Sequence, residues 1–126
     1  MAAAAVLLPG AAVIGQPSTQ RLLVFDVPYA KVWESTVREM KAYPVTRALD
    51  GAIEIARTER APLPEEQGAS RVAERITVRV EAVSENITRV SVTVDAEVLR
   101  DGRWEPVGGS PATARTVLDR IRAGLG

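Results

Sequence analysis

Residues 71–83, RVAERITVRVEAV, and residues 87–99, ITRVSVTVDAEVL, alternate apolar and polar side chains almost without error. Val72, Ile76, Val78, Val80 and Ala82 share one parity, as do Val90, Val92, Val94, Ala96 and Val98; the other parity is mostly Arg, Glu, Asp, Ser and Thr. A period of two gives each strand one buried face and one wet face. Centring the turn on Glu85 sets Val80 opposite Val90, Val78 opposite Val92 and Ile76 opposite Val94. On the outer face the same register sets Glu81 against Arg89, Arg75 against Asp95 and Thr77 against Thr93. Such cross-strand pairs contribute roughly 0.2 to 1 kcal/mol each, and a slip of one residue would turn every valine outward. Ser84, Glu85 and Asn86 then form a three-residue loop, with Asn86 in the left-handed conformation.

Upstream, residues 21–27 read as a β-rich run with apolar side chains on both parities, so the strand is covered on both sides or is an edge strand partly capped by the N-terminal tail. Asp26 and Pro28 then mark a helix start, with Asp accepting free amide bonds. Tyr29, Trp33, Val37 and Met40 fall on one helical face, Glu34 and Arg38 form an exposed pair four apart, and Tyr43-Pro44 stops the helix. Asp50-Gly51 joins strands 45–49 and 52–58 in a tight hairpin that sets Arg47 opposite Glu54 and turns Ile53 and Ile55 to the core.

Residues 60–70, RAPLPEEQGAS, lack apolar periodicity and read as a mobile connection. Downstream, Asp101-Gly102 turns the chain into a short segment bearing Arg103, Trp104 and Glu105, and Gly108-Gly109 is a flexible hinge. Ser110 and Pro111 open a last helix whose stripe is Ala114, Val117, Leu118, Ile121 and Leu125. The order β-α-β-β-β-β-α predicts an α+β fold, an antiparallel sheet of about five strands with two helices packed on one face.

The chain has 126 residues, enough for one domain with a single core. The division is a signal-like segment and linker over 1–20 and one α+β domain over 21–126. Sixteen Lys and Arg balance sixteen Asp and Glu. No basic cluster with interleaved aromatics suggests a phosphate-tracking surface, so no nucleic-acid partner is expected. The absence of cysteine and histidine excludes disulfides, thiolate nucleophiles, imidazole bases and the usual zinc ligand sets. Ala2 to Gly15 is uncharged and largely apolar, too short to span a bilayer as a helix but suited to the core of an export signal. Val13 and Gly15 stand where a signal cleavage site wants small residues, and the basic n-region is missing unless the true start lies upstream; the other reading is an apolar tail or misassigned start that never meets a translocon. Membrane association is expected only through this segment.

The passages FDVPYAKVWESTVREMKAYPV, LDGAIEIARTE, TRVSVTVDAEV and TVLDRIRAGL together resemble the small helix-on-sheet domains of BamC-like bacterial envelope lipoproteins. In AAVIGQPS, Gln16 stands where those lipoproteins carry their lipid-bearing cysteine. The resemblance implies a non-catalytic accessory or adaptor domain in the periplasm or outer envelope, acting by protein-protein binding on an envelope partner. FDVPYAKVWE and the terminal helix also resemble, in outline, helix-grip carriers. Those would bind an apolar small molecule in a cavity between sheet and C-terminal helix.

No catalytic residue, cofactor site or metal site is expected. Glu65-Glu66 are adjacent loop acids without a second cluster, Ser35, Thr36 and Ser84 have no histidine to activate them, and Lys31 and Lys41 lie on a solvent-facing helix side. The expected partner-binding residues are Leu63, Arg103 and Trp104. Trp104 beside Arg103 after a turn suits a partner anchor, the other reading being burial against the last helix. Leu63 stands between two prolines, where an extended peptide could be met. Both lie in connections expected at one end of the domain.

Overall fold

The computed structural model describes residues 18–126; the export-signal reading of Ala2 to Gly15 and the place of Gln16 lie outside them. The elements are β1 (Thr19–Phe25), α1 (Tyr29–Met40), β2 (Val45–Leu49), β3 (Ala52–Arg60), β4 (Arg71–Ser84), β5 (Ile87–Arg100), β6 (Arg103–Gly108) and α2 (Pro111–Gly124). All strand pairs are antiparallel, in the order β1-β5-β4-β3-β2. The segment read as a short turn product after Asp101-Gly102 is in fact a sixth strand: β6 pairs with β5 from Asp95 to Arg100. Because β4 occupies one side of β5 along its whole length, β1 and β6 share the other side, β1 along Thr88–Val94 and β6 beyond it. The Thr19 hydroxyl donates to the Gly109 carbonyl at 2.5 Å, and the Ser18 hydroxyl to Asp95, which closes the seam between the two.

The long hairpin has the register that alternation dictates: Val80 faces Val90, Val78 faces Val92, Ile76 faces Val94, and Thr77 faces Thr93. On its outer face Arg89 Nη2 reaches Glu81 at 3.1 Å. Arg75 stands opposite Asp95 but makes no ion pair with it within 4.0 Å; the Asp95 carboxylate takes the Ser18 hydroxyl. Near the turn the register shifts between Ala82 and Ser84, so that Ser84 faces Ile87 and the connection tightens to Glu85-Asn86. Asn86 is not left-handed, because the bulge rather than a positive φ absorbs the extra residue. At Asp101-Gly102 both residues have positive φ, 50° and 75°, the requirement of a two-residue hairpin turn that follows the sheet's twist.

The inner sheet face is filled. Ile53, Ile55, Val72, Val78, Val90, Val92, Val94 and Val98 are under 2% exposed, as are Val32, Met40, Val117 and Ile121 from the helices above. In α1 the buried seam is Val32, Ser35, Thr36 and Met40, about one residue out of phase with the expected Tyr29-Trp33-Val37 stripe. Trp33 is therefore a rim residue, stacked on Tyr29 with ring centroids 6.4 Å apart. The helix needs small residues where α2 crosses it: the Ser35 hydroxyl donates to the Ile121 carbonyl at 2.9 Å, and Arg38 turns away from Glu34 to reach the Gly124 carbonyl at 2.6 Å. A Cβ on Gly124 would lie 2.4 Å from Ser35 Oγ. Asp26 does not cap α1; its N-cap is Pro28, without a side-chain bond.

At the start of α2, Ser110 Oγ accepts from the Thr113 amide at 3.3 Å, with Pro111 next in line. The expected stripe Ala114, Val117, Leu118 and Ile121 is buried, with Leu125 packed at its end. Gly109 is no hinge. It is buried, and a Cβ there would stand 2.2 Å from the Val94 carbonyl oxygen, so its lack of a side chain lets β6 pass into α2 hard against β5.

Candidate functional site

Among the described residues both helices lie on one face and leave the other face of the sheet open, and register places Trp104 on it. Trp104 pairs with Leu99, which pairs with Arg71, and these odd-numbered β5 positions point away from the valine core. The reading of Trp104 as buried against the last helix is thereby corrected: the helix lies on the opposite side. The indole is partly buried by two cations that reach it across the sheet from β3 and β4, Arg57 at 4.3 Å and Arg71 at 5.5 Å from the ring centroid. Arg57 also pairs with Glu97 at 3.3 Å. Arg71 grips Glu59 through Nε at 2.7 Å and Nη2 at 2.5 Å. That fork holds the Glu59 carboxyl below its ordinary value. Glu59, Arg71, Trp104, Arg57 and Glu97 thus form one polar and aromatic band across four strands.

Arg57 reaches the band because β3 changes register between Ile55 and Thr58. Beyond the bulge Thr58 and Arg60 fall on the helix side, while Arg57 and Glu59 fall on the open side. Next to the band is an open depression of about 370 Å³, bordered by Arg57, Ala73, Arg75, Asp95, Glu97 and Pro106. A second, of about 390 Å³, continues past Arg57 and Arg75 toward Thr46, Glu54 and Thr77. Small Ala73 leaves the hollow, and the long charged side chains on its neighbours wall it.

The other two expected partner residues lie elsewhere. Arg103 pairs with Arg100 and alternates away from Trp104. Leu63 lines a cleft of about 240 Å³ on the helix side with Tyr43, Arg60, Ala112, Thr113 and Thr116. The connection 60–70 does approach the β5-β6 turn, through Arg100 Nε donating to the Gln67 carbonyl and the Ser70 amide donating to the Leu99 carbonyl at 2.9 Å. The end of the domain is shared, but Leu63 and Trp104 face opposite sides of the sheet.

That connection is pinned rather than mobile. Arg60, the last residue of β3, donates to both Glu66 oxygens at 2.7 and 2.9 Å, and Glu66 also takes the Leu63 amide at 2.7 Å. These bonds hold the Glu66 carboxyl below its ordinary value, Arg60 foremost. Arg60 Nη2 continues to Glu74 at 3.2 Å, an acid on the buried parity of β4 whose side chain is 6% exposed. Glu74 in turn accepts from the Thr113 hydroxyl at 2.9 Å and the Ser110 amide at 3.4 Å. This hub welds β3, the connection, β4 and the start of α2. Among the described residues no three acids converge in the manner of a metal site.

No protein-family model and no curated protein matches the chain. Among solved structures, a conserved protein from Geobacillus kaustophilus is similar over 86% of this chain and 91% of its own, at 7% identity and a TM-score of 0.41. A TBP-like protein from Parabacteroides distasonis is similar over 89% and 85%, at 9% identity and a TM-score of 0.44. The di-domain ARO/CYC StfQ of the steffimycin biosynthetic pathway is similar over 85% of this chain and 43% of its own, at 17% identity and 0.38. Likeness at this level transfers neither activity nor ligand.

Proposed function

We propose that the chain is a binding module of the bacterial envelope that holds a protein partner on the open face of its sheet, around Trp104, and performs no chemistry itself. The observation that carries this reading is the partly exposed indole on a face that no described helix covers, flanked by Arg57 and Arg71 and bordered by two open depressions. Anchors of partner surfaces are enriched in Trp and Arg with a polar rim, and the Glu59, Glu97 and Asp95 carboxylates supply such a rim. The chain's chemistry supports binding over catalysis. It has no imidazole or thiol, and its most buried acid, Glu74, is spent on Arg60, Thr113 and Ser110. An apolar carrier, the other reading of the sequence, would have to open an interior in which twelve large side chains are already under 2% exposed.

The test is a photo-crosslinker placed at Pro106, on the rim of the depression, in the full chain expressed in its native cells. A discrete adduct lost in Trp104→Ala, with that variant still folding cooperatively and its urea midpoint lowered by less than about 1 M, is the expected result. An adduct that persists unchanged in Trp104→Ala refutes the site. The envelope assignment has its own test in the mature N-terminus: cleavage after Gly15 with recovery from the periplasm supports it, and an intact Met1 in the cytosol overturns it.

A further inference from the structure

The two edges of the sheet are built differently. Edge β2 is five residues long and broken by a register shift between Val45 and Arg47, which spoils it as a template for another strand. Edge β1 runs seven residues in unbroken register with β5. Among the described residues only its β5 side is paired, so alternate N–H and C=O groups of β1 face outward as an open ladder. Leu22 and Val24 on this strand are 54% and 63% exposed.

Alongside β1 runs a groove of about 240 Å³ between the strand and α2, with Leu22, Leu23 and Leu118 as its apolar lining. Its charged lining is Arg21, Arg115 and Arg122 against the single acid Asp119. Arg122 is turned to Asp119 at 3.8 Å, whereas Arg21 and Arg115 have no carboxylate within 4.0 Å among the described residues. The groove spans three successive residues of β1 and two turns of α2, Arg115 to Arg122, so one extended segment along the edge can touch both elements.

We propose that this groove captures an extended, acidic segment of a protein partner, added to β1 as a further strand. Every second side chain of that strand faces α2, and these positions carry both the apolar groups that lie over Leu23 and Leu118 and the acidic ones that answer Arg21 and Arg115. Main-chain bonds to an edge supply affinity in this mode, and the pockets and charges beside it supply selectivity. The site does not rest on the Trp104 face and is tested separately from it.

The probe is a synthetic end-capped peptide as long as β1, with glutamate and valine taking turns at every second position and threonine between them, titrated into the isotope-labelled full chain and followed by amide NMR. Shifts are expected at residues 21–24 and 118–122, weakening with salt, and absent with the lysine-valine counterpart. Arg115→Glu combined with Arg122→Glu, both exposed on α2, should weaken binding about tenfold, and Trp104→Ala should leave it unchanged. Absence of binding, equal binding of the lysine peptide, or shifts confined to the Trp104 face overturns the proposal. So does a concentration-dependent dimer joined through β1, which would make a second copy the occupant. A spin label on Ala4→Cys that broadens the β1 amides of the free chain would assign the edge to the chain's own N-terminal segment and likewise overturn it.

Discussion

Replacing Glu74 by alanine should be among the most damaging single changes in this domain, although it removes no hydrophobic contact of the main core. The carboxylate accepts three bonds, from Thr113 Oγ1 at 2.9 Å, Arg60 Nη2 at 3.2 Å and the Ser110 amide at 3.4 Å. Bonds to a charged group contribute about 1.5–3 kcal/mol each when well formed. Here one is long, and Arg60 keeps Glu66 when Glu74 is lost, so the three do not sum at full value. Against that, the Ser110 amide and Thr113 hydroxyl are left without an acceptor at a site where Ser110 is 7% exposed. Losing one member of a buried, hydrogen-bonded pair typically costs 3–5 kcal/mol. The lower half of that range, about 3–4 kcal/mol, fits this partly compensated case. With a urea slope of about 1.5 kcal/mol/M the midpoint should fall by about 2 M at unchanged slope. Glu74→Gln keeps an acceptor and should cost less. Thr113→Val in the same background should show a coupling of about 1 kcal/mol or more with Glu74. A loss below about 1 kcal/mol for Glu74→Ala, with no coupling to Thr113, would refute the hub as a source of stability.

Val92→Asp should destabilise by several kcal/mol, because Val92 is fully buried at the centre of the hairpin and the new charge has no partner there; a denaturant midpoint equal to the parent's would contradict the burial. Glu66 has a folded-state pKa depressed chiefly by its bond to Arg60. Its contribution is therefore complete above the ordinary value of 4.5 and lost as pH falls through the lower folded value. Glu66→Gln should flatten that acid limb in urea titrations at several pH values, and an unchanged limb would count against the Arg60 tie. Tyr29 is pushed up to about 12 by burial, by its bond to Asp50 at 2.6 Å and by the Asp50 charge. Ultraviolet titration should show one phenol ionising near that pH and returning toward normal in Asp50→Ala. Trp104→Ala should cost about 1 kcal/mol, the order of its two exposed cation-π contacts, and a loss of several kcal/mol would make it a core residue.

The central hairpin was legible in the sequence because alternation and face burial are the same fact for an antiparallel strand. Every cross-strand pair expected from Ile76–Val94 to Glu81–Arg89 is present in the register. The Asp50-Gly51 and Asp101-Gly102 turns and the Ser110-Pro111 cap were legible for a similar reason, since each rests on a local backbone demand. What failed needed a partner element. The phase of α1 was misread because its large side chains, Tyr29 and Trp33, were given the core, whereas α2 approaches closely enough for its Ile121 carbonyl to take the Ser35 hydroxyl there. Segment 103–108 became a strand only because β5 outruns β1 and leaves its far half open to pairing.

For the candidate sites, one signal was present and unused. In RVAERITVRV the inner parity reads Val72, Glu74, Ile76, Val78, Val80, an acid on an otherwise apolar stripe. A buried carboxylate needs a cation or several donors, so that single break already called for an Arg60-like partner and a cap nearby. The Trp104 band could not be read the same way. Its cation Arg57 joins the open face only because the register shift in β3 reverses which parity points outward beyond Ile55. Alternation counted from Ile53 would put Arg57 on the core side with Ile55, where an unpaired guanidinium would be intolerable. The bulge resolves that conflict by turning Arg57 out to Trp104 and Glu97, and in the same step turns Arg60 inward to Glu74. The band on the open face and the hub under the helices are therefore two consequences of one irregularity. Removing a residue at Ala56 should disturb both together, seen as loss of the Arg57 contact to Trp104 in its fluorescence and a fall in urea midpoint comparable to that of Glu74→Ala. A deletion that altered only one of them would show that the bulge does not couple the two faces.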